Sequence, residues 1–217
     1  AILAGDFLLA RASGIAAALG TETAALLSDT IGRLCEGQLA ELRQVFDPSR
    51  TVDAYYTAIG GKTAALFRWA MYAGAKAGGL SADACESLEE YGRHLGVAFQ
   101  LIDDHLDYAG DGSTIGKSPF TDLREGKMTH PVIVALERDP SLRATVEELV
   151  TADAGEIQEE AKIRLLNALD ETGALASTRE VAIREADAAC RALSGLPESR
   201  AKEALFTVAR ATVHRES

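Results

Sequence analysis

Period-two alternation of β-branched and polar residues is nearly absent from this chain, while apolar residues recur at helical spacing over long segments. Alanine is abundant and aromatic residues make up only 6%, which favours helix over strand. The spacing predicts helices at about 1–19, 22–45, 51–78, 82–109, 129–138, 141–151, 155–172, 177–193 and 198–213, with ends good to ~2–4 residues. Asp47-Pro48-Ser49 breaks one segment, and Gly78-Gly79 followed by Ser81 closes one helix and opens the next. Asp153-Ala154-Gly155-Glu156 and Ser177-Thr178-Arg179-Glu180 have capping-box spacing. No internal repeat or low-complexity linker divides the chain, so one all-α domain over residues 1–217 is expected.

Charge narrows the function. With 22 Lys+Arg against 33 Asp+Glu the net charge is −11, leaving no basic excess to displace counterions from a nucleic acid. No apolar run approaches the ~20 residues of a membrane span. Cys35, Cys85 and Cys190 are odd in number and lack C-x-x-C spacing, which argues for packing roles in a reducing cytoplasm rather than disulfides or a thiolate metal site. His94, His105, His130 and His214 have no zinc-type spacing. Gly60-Gly61-Lys62-Thr63 is not a phosphate loop, because the pattern needs glycine where Tyr56 stands and a strand where the chain reads as helix. Residues 1–6 run straight into helical periodicity without a basic leader, an opening expected inside a longer helical protein rather than at a signal peptide.

The chemistry concentrates at Leu95–Tyr108. At ~100° per residue, Leu95, Phe99, Ile102 and Leu106 share one apolar arc, and Gln100, Asp103 and Asp107 share the next, with Asp104 on its flank. Crowding three carboxylates at a helix C-terminus is unfavourable, because the macrodipole there is already negative. A solvated acidic face is one reading. The other is a cation site, since hard Mg²⁺ takes carboxylate oxygens and shares its remaining positions with substrate phosphates. The longest aperiodic stretch, Gly110–Gly126, follows directly and carries Lys117, with Lys127 just after it; Lys62-Thr63 lies on an earlier helix. Such lysines suit an anionic substrate.

Several fragments together resemble the trans-type polyprenyl (isoprenyl) diphosphate synthases. They are Ala4-Gly5-Asp6-Phe7-Leu8-Leu9-Ala10-Arg11-Ala12, Glu36-Gly37-Gln38, Gly61-Lys62-Thr63-Ala64-Ala65-Leu66-Phe67, Phe99-Gln100-Leu101-Ile102-Asp103-Asp104-His105-Leu106-Asp107, Gly116-Lys117, and the run from Asp122 to Pro131. Their order follows the family from residue 1 to about 135. The resemblance implies antiparallel helices around a deep central cavity, usually in a homodimer. It implies Mg²⁺-dependent head-to-tail condensation of an allylic diphosphate with isopentenyl diphosphate. Carried over by position, Asp103, Asp104 and Asp107 match metal ligands, with Asp103 the most direct. Lys62, Lys117 and Lys127 match lysines that hold the allylic diphosphate. Thr63 and Gln100 match the pair whose dipoles face the developing allylic cation. The Asp122–Lys127 loop is more similar to bacterial medium- and long-chain synthases than to farnesyl types.

The family also carries a first aspartate-rich motif and an arginine pair just upstream of the stretch matching Ala4-Gly5-Asp6, and these 217 residues do not contain it. The chain is therefore expected to be a portion lacking N-terminal helices, inactive when assayed by itself. Two other classes stand beside the synthase reading: a non-catalytic partner subunit of an active synthase, and a class I terpene cyclase. The cyclase would need a second metal motif on a later helix, and Asn167 is followed by Glu171 where Ser or Thr should stand. Glu36 and Gln38 read equally as support for the metals or as surface residues. His105 reads as packing, and His214-Arg215 as a short basic end able to approach the diphosphates.

Overall fold

The computed structural model describes residues 2–109, 120–151 and 159–215, and no strand occurs among them. Its helices are α1 (Ile2–Ala18), α2 (Thr21–Leu42), α3 (Val52–Ile59), α4 (Ala65–Ala77), α5 (Ala82–Ala109), α6 (Thr121–Arg124), α7 (His130–Arg138), α8 (Arg143–Thr151), α9 (Glu159–Glu171), α10 (Ala174–Ala192) and α11 (Arg200–His214). The all-α expectation holds.

The differences in detail have local causes. The helix expected over 51–78 is interrupted by a π-helical turn, Gly60–Ala64. There α2 and the turn meet backbone to backbone: a Cβ built on Gly61 would stand 2.7 Å from the carbonyl oxygen of Arg33. Wide turns of this kind inside helices recur at functional sites, and this one carries Lys62 and Thr63. Ser177 does not cap α10, which begins a turn earlier behind Gly173 at φ 64; the Ser177 N–H bonds back to Gly173 O as an interior residue. Thr51 and Ser199 are true N-caps, accepting from Ala54 N and Lys202 N. Thr121–Arg124 turns helical within the stretch read as loop. Gly116, Lys117 and the Asp153–Glu156 box lie outside the described residues.

Helix α5 is the axis of the molecule, packed between α4 and α10 and reached by α7 and α11. Leu95 and Ile102 are buried as the wheel predicts, while Phe99 and Leu106 are only half-buried. Tyr91 and Ala98, at the edge of that arc, and Leu101, well beyond it, are also fully buried. A central helix is covered on several sides, so a single apolar arc understates its burial. One core gathers Tyr55, Leu101, Ile102, Met128 and Ile133 around the C-terminal half of α5; a second gathers Cys85, Tyr91, Leu95 and Leu193 around its N-terminal half. Helix α1 packs on α2 and leaves Ile2, Leu3, Phe7 and Leu8 exposed. No helix among the described residues is long and apolar enough to cross a membrane.

Candidate active site

The π turn and the middle of α5 bring the sequence-predicted groups together. Thr63 Oγ1 donates to Gln100 Oε1 at 2.9 Å, and Gln100 Nε2 donates to Asp104 Oδ1 at 2.9 Å. Tyr55, from α3, donates its hydroxyl to Asp104 Oδ2 at 2.6 Å, and the His130 N–H reaches the same oxygen at 3.5 Å. This is a continuous network across α3, the π turn, α5 and α7.

The three aspartates occupy different environments. Asp103 has a half-exposed carboxylate, with Arg215 Nη2 3.6 Å away. Asp104 is 2% exposed. Burial pushes its pKa up to about 7, against the pull of the Tyr55 and Gln100 hydrogen bonds. Asp107 accepts the backbone N–H groups of Thr121 and Asp122 at 3.1 and 3.2 Å. Burial, and then the nearby Asp122 charge, push its pKa up to about 6.

Lys62 and Lys127 each face a carboxylate. Lys62 Nζ lies 2.7 Å from Glu41 Oε2, and Glu41 is itself buried and bonded by Gln38. Lys127 bridges Asp122 at 3.0 Å and Glu125 at 2.6 Å. Burial opposes its charge, but the two carboxylates outweigh it and raise the pKa. Lys117 lies outside the described residues.

Arg215 comes from the end of the chain onto α5, donating to the Phe99 carbonyl at 3.0 Å with its guanidinium 4.4 Å from the Phe99 ring centroid. Phe99 in turn packs on Phe67. Sequence reasoning missed Glu41, Tyr55 and Asp122 as participants. The one legible signal was Glu41, a carboxylate one turn after Gly37 on the same α2 face.

One cleft of about 430 Å³ opens between α2, α4 and α5 beside Leu26, Asp29, Trp69 and Tyr72, and another of about 590 Å³, lined also by α3 and the π turn, opens beside Arg33, Tyr56, Arg68 and Arg93. Neither is lined by Asp103, Gln100 or Lys62.

No group of three or more His, Cys, Asp or Glu side chains among the described residues is assembled to hold a metal. The donor set still fits one. Mg²⁺ typically uses one or two carboxylates and completes its shell with water and phosphate oxygens. Asp103 is open, and the strained charge on Asp107 is what a cation would relieve.

An all-α bundle whose central helix ends in clustered aspartates beside a Thr–Gln pair defines the isoprenoid-synthase class of fold. The polyprenyl synthetase family model matches residues 1–167, and the chain belongs to that family. It is 35% identical to octaprenyl diphosphate synthase of Escherichia coli over 221 residues, 99% of this chain and 66% of that protein. It is 37% identical to a solanesyl diphosphate synthase of Arabidopsis thaliana over 91% of this chain and 46% of the relative. A polyprenyl synthase from Caulobacter crescentus, crystallised with calcium and isoprenyl diphosphate, superposes with a TM-score of 0.90 at 34% identity, covering 100% of this chain and 66% of that one. A decaprenyl diphosphate synthase from Rhodobacter capsulatus gives 0.88 at 33%. The chain thus spans just under two thirds of the length of several relatives.

Proposed function

We propose that the protein containing this chain is a prenyltransferase that condenses an allylic diphosphate with isopentenyl diphosphate, head to tail, to make a medium- or long-chain polyprenyl diphosphate. The observation that carries this reading is the Thr63–Gln100 pair set one turn from the open Asp103 carboxylate. A carbonyl and a hydroxyl oxygen there stabilise positive charge developing on an allylic carbon. Lys62, Lys117 and Lys127 hold the departing diphosphate, for which Lys62 would exchange its Glu41 partner and Lys127 its Asp122 and Glu125 partners. Asp103 and Asp107 hold Mg²⁺, which when bound supplies Lewis-acid neutralisation of diphosphate charge. The half-buried Phe67 and Phe99 contribute apolar surface that helps keep water from the cation.

We propose too that the 217 residues assayed by themselves give no condensation, since they span only about two thirds of the length of the synthases they resemble. We further propose a cytoplasmic homodimer; the exposed apolar residues of α1 give an assembly something to bury.

A turnover assay on the complete gene product, with isopentenyl diphosphate and C5 to C20 allylic primers, with and without Mg²⁺, tests the reading. Magnesium-dependent elongation read by mass supports it. No product with any primer rejects it in favour of a non-catalytic partner subunit.

A further inference from the structure

Asp104 is enclosed. Its Oδ1 takes the Gln100 amide, and its Oδ2 takes the Tyr55 hydroxyl and the His130 N–H. The neighbouring Asp103, by contrast, is half-exposed. In its ionised form Asp104 can only accept, so the Gln100 group facing it is the NH₂, in keeping with the 2.9 Å bond from Gln100 Nε2 to Asp104 Oδ1. The Gln100 carbonyl oxygen is thereby forced to the opposite side, where Thr63 Oγ1 donates to it. Tyr55 is held in turn by packing, its ring 5.5 Å from the Arg50 guanidinium. Arg50 itself is buried and donates to Met128 O at 2.9 Å. The two ends of a glutamine amide are nearly equal in shape, so packing alone does not choose between them. A buried acceptor does.

We propose that Asp104 is a positioning residue rather than a metal ligand: with Tyr55 it locks the Gln100 amide so that the carbonyl oxygen, not the NH₂, faces Thr63 and the reacting carbon. The inference deepens the prenyltransferase reading and rests on it for the identity of that carbon. Reversing the amide would aim two N–H donors at a developing cation, which repels where the carbonyl attracts. The role depends on an acceptor at Oδ1 and not on negative charge. Asparagine therefore substitutes: its oxygen accepts from Gln100 while its NH₂ donates to the Tyr55 oxygen, and only the long 3.5 Å contact from the His130 N–H is given up.

The test uses the complete gene product carrying Asp104→Leu, Asp104→Asn, Tyr55→Phe or Asp103→Asn. Asp104→Leu should lower kcat by about 10²–10³-fold with the allylic KM within about twofold, the pattern of a lost transition-state interaction. Asp104→Asn should stay within about fivefold of wild type, and Tyr55→Phe should fall about three- to tenfold. Mn²⁺ binding in the presence of inorganic diphosphate, followed by electron paramagnetic resonance, should be unchanged in all three and weakened at least about tenfold in Asp103→Asn.

An Asp104→Asn protein as inactive as the leucine variant, or with Mn²⁺ binding weakened like that of Asp103→Asn, overturns the proposal. If Asp104→Leu does not fold, the asparagine and phenylalanine variants decide it on the same criteria. If wild type makes no product, the prenyltransferase reading has failed. The side-chain NH₂ resonances of Gln100 then decide the locking itself. They should be slow to exchange in wild type and Asp104→Asn; fast exchange in wild type overturns it.

Discussion

Gly96 of α5 lies so close to Ala64 that a Cβ built on it would stand 2.6 Å from the Ala64 Cα. The contact falls beside Thr63 and one turn before Gln100, so the closeness of the two backbones sets the reach of their hydrogen bond. Any side chain at position 96 must push the π turn away from α5. Gly96→Val should cost about 1–3 kcal/mol, the usual range for overpacking. A urea midpoint equal to wild type would show that the two elements can separate freely.

The Lys62–Glu41 pair makes a prediction about balance. Glu41 is 8% exposed, so Lys62→Met leaves a carboxylate supported by the 3.4 Å Gln38 bond and the Arg50 charge without its direct ion-pair partner. The loss should be about 1–3 kcal/mol, between the values for exposed and buried pairs, because Lys62 keeps some solvent contact. Adding Glu41→Gln should restore most of it. A double variant no more stable than Lys62→Met would rule out a stranded charge as the cause.

Asp103→Ala should separate activity from stability. Its carboxylate is half-exposed and its ion pair with Arg215 is long at 3.6 Å, so unfolding free energy should move by no more than about 0.5 kcal/mol. Turnover of the complete protein should fall by about 10²–10³-fold or more through loss of electrostatic stabilisation at the diphosphate. Near-normal turnover would remove Asp103 from the metal site.

Arg215 ties the chain end to α5 through the Phe99 carbonyl and ring. Arg215→Ala should cost about 1 kcal/mol, one hydrogen bond and a stacked cation. Hydrogen exchange should quicken in the last turn of α11 while the Tyr91 region keeps its protection. Unchanged exchange in α11 would mean that the end is held by Val213 packing alone.

Much of the site was legible because its members lie close in sequence. Gln100, Asp103 and Asp107 share a helix face by periodicity alone, and Lys62 adjoins Thr63. What was not legible came from elsewhere in the chain. Tyr55 meets Asp104 across 49 positions and Arg215 meets Phe99 across 116, and no periodicity encodes a contact of that span. The π turn was hidden for a related reason: Gly60-Gly61 reads locally as an ordinary weak point in a helix. Only the approach of α2 explains why glycine is needed at Gly61.

The sequence by itself determined that the chain is helical, where most helices run, and which short segments carry the chemistry. Helix formation and amphipathic spacing are local properties, written within a few turns. The tertiary structure alone decided how three neighbouring aspartates divide their work. Asp103 stays at the surface, Asp104 is sealed behind Tyr55 and Gln100, and Asp107 is tied to the backbone of α6. Which carboxylate is solvated and which is enclosed depends on the elements packed around α5, and burial is a property of the whole fold.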